Sequence, residues 1–389
     1  MKDKFLKILL NPKYIFGVYL IIAVLTAVSK YSRGNYAINN YLIFKSVFFN
    51  TRDQTNLFAE YPDRFFDMNH YGVFFSALIA PFALMPDWLG ITLWNAANTF
   101  IFIYAIQKLP FSDGKKALFA LFCLQEYITA ALSLQFNVAL TGLLLLSAIY
   151  IYERKELKSV TAILIGVFVK IYGIVGLSQF FFIKNKTKFI FSGLVIAALF
   201  FVLPMAYSSP KFVIQCYSDW FQSLLEKNSA NQVLGNMQDI SLMGFVRRIL
   251  GDASISNMVF LAFGLPLFAL PYIRIKQYKH YAFQLMILAS TLLFLVLFSS
   301  GSESPTYIIA VTGVMLWFFL QKERTPLAIG LLIFVIIFTC FSTSDLFPKF
   351  VKENYIIKYS LKAVPCIVVW LRITYELLTK DFEKNYSLN

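Results

Sequence analysis

SVTAILIGVFVKIYGIVGLSQFFFI, residues 159–183, is the stretch on which the fold turns. It is largely apolar, with Lys170 as its one charged residue, and it lies between two basic clusters at residues 153–158 and 184–188. Lys and Arg accumulate on the cytoplasmic side of membrane proteins, so both clusters belong there. The stretch between them must then enter and leave the bilayer on one face. Two half-helices meeting at residues 170–173 meet that requirement. Such broken helices are tolerated at membrane depth only where protein or a water-filled cavity surrounds them. The alternative is one ordinary helix with residues 184–188 outside. That topology leaves Lys170 at mid-bilayer, at a cost of about 2.5–3.5 kcal/mol on insertion scales.

Working outward, about a dozen apolar segments of roughly 12–21 residues follow one another along the chain, the spacing expected of spanning helices. The composition agrees: 58% of the 389 residues are hydrophobic and 14% charged, against about 25% charged in a soluble domain. The sequence therefore predicts an all-α, polytopic bundle of about 10–13 transmembrane helices with broken or re-entrant segments, in one integral membrane domain over residues 1–389. A net charge of +14 raises the possibility of a nucleic-acid partner. The cations lie in short inter-helix clusters, however, which is the positive-inside pattern and suits anionic membrane lipids instead.

With the N-terminus inside, residues 32–70 form a first outer loop with an interfacial helix, and residues 208–252 form a large outer loop. Residues 117–131 and 138–152 form a hairpin with its tip at 132–137. Residues 71–85 dip in and return, broken at Pro81, and the C-terminus is inside. The expected location is thus a cell membrane, multi-pass, with both termini cytoplasmic. Cys123, Cys216, Cys340 and Cys366 show no CxxC spacing, so neither a zinc site nor a disulfide framework is indicated. No nucleotide-binding loop, dinucleotide fingerprint or HExxH is present, nor a DxD pair, so no metal is called for.

The outer segments carry the polar chemistry. Asp67-Met-Asn-His-Tyr-Gly72 leads into an apolar run. A carboxylate at the mouth of a broken helix serves as a general base where partial burial tunes it, against the plain reading of a solvated loop acid. His70, three residues on, is either a structural hydrogen-bonder or part of the site. Gln135 and Asn137 sit at a hairpin tip, where amides also cap helices. Lys170 is either paired within the bundle or an anchor for an anionic group such as phosphate. In the large outer loop, Asn236, Gln238, Arg247 and Arg248 form a polar run ending in two guanidinium groups, suited to a phosphate or to lipid headgroups. Glu303-Ser-Pro-Thr-Tyr307 makes Glu303 a second candidate base, with Tyr307 beside it.

An ordered set of motifs then becomes apparent: Leu57-Phe-Ala-Glu-Tyr-Pro62, Ala80-Pro-Phe-Ala-Leu-Met-Pro86, Leu93-Trp-Asn95, Leu134-Gln-Phe-Asn137, Lys170-Ile-Tyr-Gly173 and Asn236-Met-Gln-Asp-Ile-Ser241. The chain resembles the polyprenyl-phosphate-sugar-dependent membrane glycosyltransferases, family 87, mannosyltransferase-like proteins of GT-C architecture. The resemblance is good over about residues 36–250 and looser beyond. It implies inverting transfer of a hexose from a lipid-linked donor, a polyprenyl-phosphate sugar acting as co-substrate with no further cofactor. The acceptor is a cell-envelope glycolipid or glycan at the outer face. An acidic residue acts as base, Lys170 with Arg247 or Arg248 holds the phosphate, and Gln135 and Asn137 line the pocket. The chain departs from the family where Asn40 stands in place of an acidic residue, since an amide cannot be that base. Gly173 also replaces the usual proline after the lysine. The base has then moved to Asp67 or Glu303, or the reaction is lost or changed. The rival readings are a transporter or flippase of lipid-linked sugar and a non-catalytic membrane subunit.

Overall fold

The computed structural model describes residues 11–235 and 237–388. Among them the fold is helical, with one isolated β-bridge between Gln321 and Tyr386 and no named strand. In chain order the main helices are α1 (Pro12–Ser32), α2 (Asn39–Arg52), α3 (Phe75–Ala83), α4 (Asp87–Lys108), α5 (Asp113–Leu132), α6 (Asn137–Tyr152) and α7 (Glu156–Val169). A 3-10 helix over Ile171–Phe182 follows, then α8 (Lys186–Val202), α9 (Pro210–Ala230), α10 (Leu242–Leu250), α11 (Asn257–Ala269), α12 (Tyr281–Leu297), α13 (Tyr307–Leu320), α14 (Pro326–Val335) and α15 (Val364–Thr379).

The chain is a polytopic helical membrane protein. Three helices, Pro12–Ser32, Asp87–Lys108 and Lys186–Ala206, have the length and apolarity to cross a membrane. Their surfaces show why the composition is so apolar. Phe191, Leu194 and Leu199 of α8 are each more than 60% exposed, an apolar face that in water would drive association. Lipid is its natural solvent. Six further apolar helices run only 10–17 residues, so the expected ten to thirteen crossings are not each matched by one helix of full crossing length.

The chain packs as two compact units, and α5 carries it from one to the other. Among the described residues, the first comprises 11–12, 109–127, 228–235 and 237–388. At its centre α12 and α13 form a hairpin buried along nearly its whole length, with Leu288, Ala289, Met315 and Trp317 wholly enclosed, and α15 packs on both helices. The second comprises residues 13–108 and 128–227. In it α4 packs on α6, α6 on α7, and α2 on α3.

The decisive stretch breaks as the charge pattern requires. Helix α7 ends at Val169, Lys170 is extended (φ −141°, ψ 114°), and the chain resumes as the 3-10 helix. The two arms run antiparallel and touch. A Cβ built on Gly173 would lie 2.3 Å from the backbone of Gly166 and Val167, and one on Gly176 2.8 Å from Ile163. Only hydrogen at position 173 allows this approach. Helix α3, at nine residues, is about 14 Å long and cannot cross a bilayer core of about 30 Å. Pro81 lies inside α3 rather than ending it. Residues 208–252, read from sequence as a loop, are largely helical as α9 and α10.

Candidate functional site

In the second unit, the candidate residues gather around the hairpin tip and the break after α7. Leu134, at the tip, takes a left-handed conformation (φ 57°), which a non-glycine residue holds only where its surroundings impose it. The surroundings are visible: Trp94 Nε1 donates to the Leu134 carbonyl at 2.9 Å, and Asn40 Nδ2 to the Ser133 carbonyl at 2.7 Å. Asn40 is therefore a tie that clamps α2 to the tip. The tip in turn aligns Gln135 Oε1, which accepts from Asn137 Nδ2 at 2.8 Å, and Asn137 Oδ1, which accepts from Lys170 Nζ at 2.9 Å. The Lys170 ammonium also lies 4.8 Å from the centre of the Tyr172 ring.

The Asp67–Gly72 loop closes on the same break. Gly72 N donates to the Val169 carbonyl at 3.3 Å, and a Cβ on Gly72 would lie 2.5 Å from the Phe168 carbonyl oxygen. Asn39 Oδ1 accepts from Phe66 N at 3.0 Å, pinning the loop to the start of α2. Helix α9 holds it from another side. Trp220 Nε1 donates to the His70 carbonyl, and His70 Nδ1 pairs with Ser223 Oγ, both at 2.9 Å. His70 Nε2 is buried and has no hydrogen-bond partner. Burial pulls the imidazole down to about 4, and the Lys227 and Lys170 charges act in the same direction against Asp67. His70 is thus neutral at neutral pH. Asp67 is half-exposed, with Lys227 Nζ at 3.9 Å from its Oδ1. An exposed pair of that length adds little stability; the same Oδ1 accepts from Met68 N at 2.8 Å.

In the first unit, the loop residues from sequence form a different structure. Asn236 lies outside the described residues. Arg247 is 1% exposed, and its guanidinium donates to Asp239 Oδ2 at 2.6 Å, to the Ile255 carbonyl at 2.9 Å and to Asn257 Oδ1. Arg248 donates to the carbonyls of Gln238 at 2.7 Å, Asp239 at 3.0 Å and Leu234 at 3.3 Å. The two guanidinium groups, read from sequence as suited to a phosphate or to lipid headgroups, here pin Leu234, Gln238 and Asp239. Gln238 takes part through its backbone. Tyr307, wholly buried, donates its hydroxyl to the Ile240 carbonyl at 2.9 Å. Glu303 starts the turn into α13, and its N–H donates to Thr306 Oγ1 at 3.4 Å. Asp67 and Glu303 belong to different units.

Sequence reasoning missed one buried pair. Lys362 Nζ donates to both oxygens of Glu126 at 2.9 and 3.1 Å, with the side chains 2% and 0% exposed. The same ammonium stands 4.9 Å from the centre of the Tyr307 ring. The signal was present, because Glu126 is a carboxylate within an apolar segment, where an ionisable group needs a partner. Lys362, near the end of another such segment, reads equally well as an interface lysine.

The unit-two arrangement can do three things chemically. It presents a cation at a helix break, amides at a fixed tip, and a half-exposed carboxylate on the same tethered loop as a neutral imidazole. No group of three or more His, Cys, Asp or Glu among the described residues is arranged to hold a metal ion. No curated protein matches the chain significantly. The model of glycosyltransferase family 87 matches residues 69–300, more than half of the chain. That match begins at the tethered loop and takes in the hairpin tip and the broken helix; this chain belongs to glycosyltransferase family 87.

Proposed function

We propose that this membrane glycosyltransferase moves a hexose, mannose-like, from a polyprenyl-phosphate donor to a cell-envelope glycolipid or glycan at the outer membrane–water boundary. The enzyme sits in a cell membrane as a multi-pass protein of GT-C type, with both termini cytoplasmic. The observation that carries the reading is Lys170. It is a cation at the break of two antiparallel half-helices, oriented by Asn137 and flanked by the Asp67–His70 loop. A cation held there suits the phosphate of a leaving lipid monophosphate, for which an ammonium is a compact point charge.

The reaction is a single displacement. The acceptor hydroxyl oxygen bonds to the anomeric carbon as the bond from that carbon to the phosphate oxygen breaks, and the configuration inverts. Asp67 takes the acceptor proton, and the lipid phosphate leaves with the bonding electron pair against Lys170. His70, neutral and tied to Ser223 Oγ through Nδ1, positions the loop that carries Asp67 beside the sugar. Gln135 and Asn137 line the donor pocket. Glu303 is the alternative base. Asn40, bonded through its amide N–H to a backbone carbonyl, has no part in proton transfer.

The test is sugar transfer by purified protein in lipid, with labelled polyprenyl-phosphate mannose or glucose and a membrane lipid extract as acceptor. Asp67→Asn abolishes transfer while donor binding persists; loss on Glu303→Gln alone moves the base to Glu303. Donor binding that fails on Lys170→Ala, with no transfer from wild type under any condition, overturns the transferase reading in favour of a lipid-linked-sugar transporter.

A further inference from the structure

A half-buried side of α2 carries a cleft that the chemistry above does not use. It has a volume of about 370 Å³ and is lined by Leu42, Lys45, Ser46, Phe49, Asn50, Asp53, Thr55 and Arg64. That size is at the small end of ligand sites, which run to about 300–1,000 Å³. Leu42, Lys45, Ser46, Phe49, Asn50 and Asp53 recur at helical spacing along one side of α2 and its C-cap. Asn40, two positions before Leu42, is turned about 200° away from that side. The cleft is therefore separate from the hairpin-tip site.

Its charges are mostly balanced internally. Lys45 Nζ meets Asp87 Oδ1 at 2.7 Å, and Asp53 takes Arg52 at 2.7 and 3.0 Å. The remaining cation, Arg64, is exposed, and its hydrogen bond within the cleft is a long one of 3.4 Å to Asn50 Oδ1. What is left over is a set of donors and acceptors of both kinds beside an apolar wall: the Arg64 guanidinium, the Asn50 amide and the hydroxyls of Ser46 and Thr55, next to Phe49 and Leu42. Lys45 and Asp53 are each already paired, so a phosphate would find one cation, Arg64, for its charge. A polyhydroxyl ring both donates and accepts at every oxygen and has apolar C–H faces, so it matches the lining.

Resting on the glycosyltransferase reading, we infer that this cleft binds a saccharide of the acceptor glycan, away from the transferring centre, and so selects acceptors by their glycan length. Arg64 and Asn50 hold its hydroxyls, and Phe49 and Leu42 flank its apolar face.

The probe is a panel of fluorescently tagged gluco- and manno-oligosaccharides of one to four rings, offered to the full chain in nanodiscs of neutral or anionic lipid. Ser46→Trp fills the cleft and leaves α2 its helix; Arg64→Ala removes the available cation. Binding weakens tenfold or more in both variants and is unchanged in Lys170→Ala. In the transfer assay both cleft variants raise the acceptor KM and spare kcat. No saccharide bound, or binding indifferent to both cleft variants, overturns the inference. So does Arg64-dependent association with anionic lipid alone, which makes the cleft a headgroup site. Transfer with an unchanged acceptor KM sinks the cleft and leaves the transferase standing. Cleft-dependent binding without transfer does the reverse.

Discussion

At the scale of single residues, the two amides flanking the hairpin tip do different work. Asn40 donates to the Ser133 carbonyl, which a carboxylate can do only when protonated. Asn40→Asp therefore introduces a carboxylate and breaks the tie together. The expected outcome is a loss of roughly 1–3 kcal/mol in stability at neutral pH, read from thermal unfolding in detergent, with partial recovery as the carboxyl protonates in acid. Lys170 bonds to Asn137 Oδ1, so Lys170→Ala should weaken donor binding by about 10–100-fold, on the order of one charge-assisted hydrogen bond. Titration with a lipid-phosphate analogue measures this.

His70 makes a pH prediction. Its native value of about 4 lies below the ordinary histidine value of about 6.5. Between these values the unfolded chain binds the proton and the native protein does not. Stability thus rises with pH through that window, is fully present above about 6.5, and is lost as pH falls towards about 4. The unfolding midpoint should drop between pH 7 and 4.5 in wild type, and the drop should be smaller in His70→Gln. Equal drops would remove His70 from the account.

At the scale of elements, the break at Lys170 is the feature the site depends on. It holds because Gly173 packs its backbone on Gly166. Gly173→Ala puts a methyl 2.3 Å from two backbone atoms, and neither arm can yield locally. Overpacking of this kind costs about 1–3 kcal/mol. The expected result is lower stability together with loss of transfer, since the shift moves Lys170. Gly114→Ala, where a Cβ meets nothing within 4 Å, is the control. The break itself was legible from the charges on either side of residues 159–183. The 3-10 form of the second arm was not, because runs longer than three or four residues are uncommon and tertiary contact decides them.

At the scale of the whole molecule, the first unit is organised around a fully buried ion pair. Removing one partner leaves the other charge stranded, at about 3–5 kcal/mol, whereas removing both is far milder. Lys362→Met should therefore destabilise strongly, and Glu126→Gln combined with Lys362→Met should recover most of the loss in thermal unfolding. Additive losses would mean the pair is not coupled. Arg247 and Arg248 show the limit of reading a site from a loop. Two guanidinium groups after a polar run read as suited to a phosphate or to lipid headgroups, yet they are buried against carbonyls and Asp239.

The sequence by itself determined what depends on local composition and order. Apolar length and sparse charge make a helical membrane protein, paired basic clusters favour a break between them, and the ordered motifs point to the family. Only the tertiary structure decided which polar residues meet. Asn137 and Lys170 lie 33 positions apart, His70 and Ser223 lie 153 apart, and Glu126 and Lys362 lie 236 apart. A side chain's partner across such separations is set by helix packing. Hydrophobic pattern fixes which segments are buried, but it leaves their register, and so the pairing of buried polar groups, to the close fit of particular surfaces.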